Sequence, residues 1–145
     1  MDAPGDVSRE RPDAALDDFR SAGRALLSMG LVKGAEGNLS TFDGRVLVIT
    51  RTGASLGGLE AGDLVAGPLD GPLPGASSDL AVHRRTYAER GPGALVHAHP
   101  PGTVPEGGGG PGAHGVYEFG PDLAAGVEAA VRGARAHAAP GNGDR

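Results

Sequence analysis

The segment Ala94-Leu95-Val96-His97-Ala98-His99-Pro100-Pro101 constrains this chain more than any other. Its apolar run reads as a buried strand from Ala94 to Ala98. The two prolines have no N–H to give a neighbouring strand, so they force the chain out of the sheet immediately afterwards. Residues two apart on a strand project from the same face, with Cα atoms roughly 7 Å apart, so His97 and His99 fall side by side at a strand end. Two imidazoles placed this way can share one metal ion. They can equally be histidines hydrogen-bonded in the core or exposed at an edge, and the spacing does not separate these readings.

Other elements can be read around that strand. From Pro12 to Gly30 the residues Leu16, Phe19, Gly23, Leu26 and Leu27 recur at three- and four-residue steps, which predicts a helix started by Asp13 and stopped by Gly30. Asn38 to Phe42 and Arg45 to Thr50 are rich in β-branched residues. They flank Asp43-Gly44, a dipeptide suited to a type I′ turn, and so predict a hairpin. A second strand pair is expected near Leu64 to Pro68, with a turn through Asp70-Gly71-Pro72. A helix capped by Ser77 or Ser78 should follow and run to Arg90, with Asp79 in its first turn. Pro121 to Arg135 predicts a last helix, with Pro121 in its first turn and Leu123, Val127 and Val131 spaced by four.

At 145 residues the chain has the size of one domain. Glycine is densest in Pro105 to Gly115, while Leu16 to Val104 reads as ordinary folded sequence. The expected organisation is a disordered tail over 1–11, one domain over 12–137 with a flexible loop at 105–115, and a second disordered tail over 138–145. The net charge of -5 and thirteen scattered Lys and Arg residues argue against a nucleic-acid partner. With no cysteine, disulfides and thiolate metal sites are excluded, and soft-metal ligation falls to histidine. No window has the roughly 20 apolar residues of a membrane span and no signal-peptide pattern opens the chain, so a cytoplasmic location is expected.

Two further polar features can carry chemistry. Asp79 is a carboxylate at a helix start, either an ordinary first-turn acid or a proton carrier. The turns Gly37-Asn38, Thr50-Arg51-Thr52-Gly53 and Ser77-Ser78 offer N–H groups, hydroxyls and an amide. Such groups can cradle a phosphate without basic residues, and are also common turn chemistry.

In order, these motifs are Gly37-Asn38-Leu39-Ser40, Ile49-Thr50-Arg51-Thr52-Gly53, Asp63-Leu64-Val65, Ser77-Ser78-Asp79 with His83 and Tyr87, and Val96-His97-Ala98-His99-Pro100-Pro101. Together they resemble the class II aldolase/adducin family, over Leu16 to Pro101 and more weakly over Val116 to Ala136. The resemblance implies an α/β fold: a three-layer α/β/α arrangement with a central, mostly antiparallel sheet, here shortened. It further implies a zinc-dependent lyase, aldolase-like, cleaving a phosphorylated sugar. By position, Asn38, Thr52, Gly53, Ser77 and Ser78 match the family's phosphate-binding residues, His97 and His99 two of its metal ligands, and Asp79 its acid/base residue. The family also implies a homo-oligomer, usually a tetramer.

The sequence departs from the family's pattern in places. Asp79 stands where the family has glutamate, one methylene longer. The third histidine position falls near Asn142, with His137 five residues earlier, and His114 lies in the Gly-Pro loop. Asp79 can complete a two-histidine, one-carboxylate set, which suits manganese or iron as well as zinc. A non-catalytic, adducin-like interaction domain and a degenerate or truncated family member are the alternatives.

Overall fold

The computed structural model describes the backbone of residues 4–100 and 115–143, and side chains over 15–100 and 115–135. The chain forms α1 (Pro4–Ser28), β1 (Asn38–Phe42), β2 (Leu47–Thr50), β3 (Leu64–Gly67), α2 (Leu80–Arg90), β4 (Gly93–Ala98), β5 (Val116–Gly120) and α3 (Leu123–Gly143). Single 3₁₀ turns occupy Leu56–Gly58 and Ala61–Asp63. The five strands make one sheet in the order β3-β2-β1-β4-β5, and every neighbouring pair is antiparallel.

Strand alternation divides the residues into three layers. Leu39, Ala94, Val96 and Ala98 face α1 and α3, where they pack with Phe19, Ala22, Leu26, Leu123, Val127 and Ala130. Phe42, Leu47 and Leu95 face the other way, against Tyr87 of α2. The expected α/β/α sandwich is therefore the observed one. Burial is nearly continuous along β1 and β4 because layers cover the sheet on both faces.

Helix α1 buries Phe19 and Leu26 as its spacing predicts, but Leu27 is 46% exposed. The helix ends in a Schellman motif. Leu31 N–H donates to Leu26 O at 2.8 Å and Gly30 N–H to Leu27 O at 3.0 Å, with Gly30 at φ +75°. The helical backbone starts at Pro4 rather than Pro12, and that of α3 runs to Gly143 rather than Arg135, into segments expected to be tails. Pro4 at a first helical position costs no hydrogen bond, which is consistent with the earlier start.

Several local expectations are corrected. The β1–β2 hairpin is present, but Gly44 has φ +100° and no described non-glycine residue has positive φ, so the turn is not type I′, which needs two such residues. Instead the Asp43 carboxylate accepts from Arg45 N–H and Val46 N–H and closes the loop. β3 does not begin a separate pair; it adds to β2 at the sheet edge. The N-cap of α2 is Asp79, not Ser77 or Ser78. In α3 the Asp122 carboxylate accepts Ala125 N–H at 2.9 Å, so Pro121 precedes the helix. β5 was not expected as a strand, although Val116, Tyr117 and Phe119 are good strand formers. Most of the expected 105–115 loop, including His114, lies outside the described residues.

Candidate active site

The sheet register brings the site together. Asn38 on β1 is the direct cross-strand partner of His97 on β4, and both side chains project to the α2 side. The turn before α2 is pinned to the end of β2: Ser77 N–H donates to Thr50 O at 3.0 Å and Thr52 N–H to Gly75 O at 2.9 Å. Asp79 N–H donates to Ser77 Oγ at 3.1 Å, and Leu80 N–H to Ser77 O. This anchored turn aims Asp79 away from its own helix. No side-chain capping bond forms; Oδ2 of Asp79 instead lies 2.8 Å from Asn38 Nδ2 and 2.7 Å from His97 Nδ1.

His99 lies beside His97, with ring centroids 4.7 Å apart and planes tilted by 40°. Its N–H donates to Leu31 O, which ties the end of β4 to the segment after α1. On the other side, Tyr117 of β5 stacks on the His97 ring at 4.0 Å and 11°. Gly115 has φ +79°, and a Cβ there would stand 3.2 Å from His97 Nε2 and 2.1 Å from Ala98 O. Only glycine lets the backbone approach β4 this closely.

Behind Asn38 runs a buried polar chain. Asn38 Oδ1 accepts from His83 Nε2, Ser40 Oγ is 2.6 Å from His83 Nδ1, and Tyr87 OH is 2.7 Å from Ser40 Oγ. Burial drives the His83 pKa down to about 3, against a smaller opposing pull from the Asp79 charge, so the ring is neutral. Burial pushes Asp79 upward, but the Asn38 N–H, the nearby Tyr117 hydroxyl and His97 outweigh it and hold the carboxyl below its usual range. Tyr117 is raised by its own burial and by Asp79. Its hydroxyl is buried without a partner at full hydrogen-bond geometry, so its influence on Asp79 is one of proximity. Tyr87 is likewise raised by burial.

Of the residues singled out from sequence, Asn38, Asp79 and His97 are in contact and His99 adjoins them. Thr52, Gly53, Ser77 and Ser78 lie on the paired turns leading to Asp79; Ser77 is buried and the other three are exposed. Ser40, His83, Tyr87 and Tyr117 were not assigned to a site. His83 and Tyr87 are four apart on one helix face, and Ser40 shares a strand face with Asn38, but those spacings also describe core packing.

Among the described residues no three histidine or acidic side chains are grouped to hold a metal ion. Asp79 Oδ2 engages the His97 ring at Nδ1. The donor chemistry fits a divalent cation in part. A histidine whose Nδ1–H is held by a carboxylate is oriented to offer Nε2 to a metal, and a second imidazole lies alongside His97 here.

A sequence model described as the Class II Aldolase and Adducin N-terminal domain matches residues 17–105. The L-fuculose phosphate aldolase of Methanococcus maripaludis is 34% identical over 87 residues, covering 58% of this chain and 48% of that protein. A probable bifunctional methylthioribose-1-phosphate isomerase/methylthioribulose-1-phosphate dehydratase of Nocardia farcinica is 36% identical over 84 residues, covering 54% of this chain and 15% of that protein. The structure also resembles the crystal structure of L-fuculose-1-phosphate aldolase from Thermus thermophilus, with a TM-score of 0.55 and 41% identity over 59% of this chain and 45% of that one. The chain thus spans about half or less of the length of these relatives. No helix among the described residues is long and apolar enough to cross a membrane.

Proposed function

The chain belongs to the class II aldolase and adducin N-terminal domain family, and on that premise we propose that it is a divalent-metal-dependent lyase acting on a phosphorylated sugar. The observation that carries this reading is the Asp79–His97 contact with His99 alongside, a carboxylate–imidazole pair at a strand end next to a polar turn. His97 and His99 would hold the cation, zinc or alternatively manganese or iron, and Asp79 holds His97 by its Nδ1–H. When bound, such a cation polarises carbonyl and hydroxyl oxygens and stabilises the charge left as a carbon–carbon bond breaks.

Asp79 is also the proton carrier in this reading, because an ionised carboxylate buried beside the site accepts a proton without a preceding loss of one. Thr52, Gly53, Ser77 and Ser78, with the second N–H of Asn38, form the phosphate cradle, since the paired turns bring hydroxyls and backbone N–H groups next to Asp79. Binding energy from the phosphate then keeps the reacting carbons in register. The relatives' names include both an aldolase and a dehydratase acting on sugar phosphates, which supports the substrate class more firmly than the bond broken.

The test is elemental analysis of the purified chain, followed by assay of the zinc-, manganese- and iron-loaded protein on a panel of ketose 1-phosphates. One transition metal per chain, lost in His97→Ala, together with release of a three-carbon phosphate or of water, is the expected result. Failure to retain any metal, with no turnover on the panel, would overturn the proposal and favour a non-catalytic interaction domain.

A further inference from the structure

Asp79 dictates the direction of every hydrogen bond in the buried chain behind it. An ionised carboxylate only accepts, so Asn38 Nδ2 at 2.8 Å and His97 Nδ1 at 2.7 Å both donate to its Oδ2. With Nδ2 turned to Asp79, Asn38 presents Oδ1 to His83, and His83 Nε2 must therefore carry a proton. A neutral imidazole with a proton on Nε2 has a bare Nδ1, which accepts from Ser40 Oγ at 2.6 Å. Having donated its proton, Ser40 accepts from the Tyr87 hydroxyl at 2.7 Å. Ser40 and His83 are fully inaccessible and Tyr87 and Asn38 nearly so, so the chain lies away from bulk water.

We propose that His83 is a positioning residue whose Nε2–H backs the Asn38 amide orientation that Asp79 selects, with Nδ2 toward the carboxylate, and so helps to hold Asp79 on His97. Without that donor, the two ends of the Asn38 amide are no longer distinguished from behind. A flipped amide would set Oδ1 against the Asp79 carboxylate, two acceptors facing each other. The importance of a fixed Asp79 for catalysis rests on the function proposed above; the proton positions do not.

The test is nitrogen-15 NMR of the metal-free chain labelled at histidine and asparagine. Wild-type His83 should be a single neutral form protonated at Nε2, and the Asn38 side-chain amide protons should exchange slowly with solvent. His83→Gln keeps an N–H donor on a side chain of similar reach and should retain the slow exchange, while His83→Leu should lose it. A His83 ring protonated at Nδ1 in the wild type would overturn the proposal without any substitution. So would an Asn38 amide as protected in His83→Leu as in the wild type. Zinc titration of the same samples reports on the function separately: predicted proton positions with no zinc binding would sink the metal reading and leave the positioning role standing.

Discussion

Oδ2 of Asp79, at the start of α2, stands 2.7 Å from Nδ1 of His97 on β4, and the two side chains are only 5% and 3% exposed. A helix N-terminus would ordinarily attract this carboxylate to its own N–H groups. Here the turn anchored to the end of β2 points it across the sheet. The contact therefore joins two elements of the fold, and its loss should affect the site more than the helix.

Asp79→Asn preserves shape while removing the charge that holds His97. Groups that hold a ligating histidine in this way typically contribute about 10- to 100-fold to metal affinity. Zinc affinity of Asp79→Asn measured against a competing chelator should fall within that range. An unchanged affinity would show that the carboxylate has no part in orienting the ring.

Asn38 matches a phosphate-binding position by resemblance, yet its amide is engaged at both ends within the protein. Asn38→Ala leaves His83 Nε2–H and one Asp79 acceptor buried without a partner. That should cost about 1–3 kcal/mol of stability even in phosphate-free buffer, read from urea unfolding. No loss of stability would mean that the amide serves a ligand only.

His83 ties stability to pH. The unfolded chain takes up a proton on this residue near its ordinary value of 6.5, whereas burial keeps the folded form neutral down to about 3. The unfolded state thus binds the extra proton between those values, so this residue's contribution to stability is fully present above about 6.5 and is lost as pH falls toward about 3. The limiting slope from this one group is on the order of 1 kcal/mol per pH unit. Urea midpoints for wild type and His83→Gln should diverge in slope from about pH 7 to about pH 5, the wild type falling more steeply. Parallel profiles would contradict this assignment.

Gly23 sets how closely α1 approaches the Leu56–Gly58 turn. A Cβ there would lie 2.0 Å from Leu56 O, a backbone atom that cannot turn aside. Gly23→Ala should therefore destabilise the chain by about 1–3 kcal/mol despite alanine's better helix propensity, seen as a lower thermal midpoint. A raised midpoint would mean that the helix and turn separate without cost.

Much of this architecture is legible along the chain. The spacing of Phe19 and Leu26, the two strands around Asp43-Gly44 and the apolar run before His99-Pro100-Pro101 each encode an element through a local period. Burying one face of a helix or strand requires that period wherever the element packs. The same reasoning placed His97 and His99 together at a strand end, and the order of motifs pointed to the family.

What the sequence left open was decided by register and by the pinned turns. Val116–Gly120 joins the sheet because β4 offers it an edge, and its Tyr117 then stacks on His97. Asp79 turns from helix cap to partner of His97 only because Asn38 pairs opposite His97 and the Ser77 turn is tied to Thr50. His83 and Tyr87 look like core residues of an amphipathic helix until Ser40 and Asn38 are set against them by the alternation of β1. A directional polar contact depends on ångström-scale placement of groups far apart in the chain, and hydrophobic periodicity carries no information about that placement.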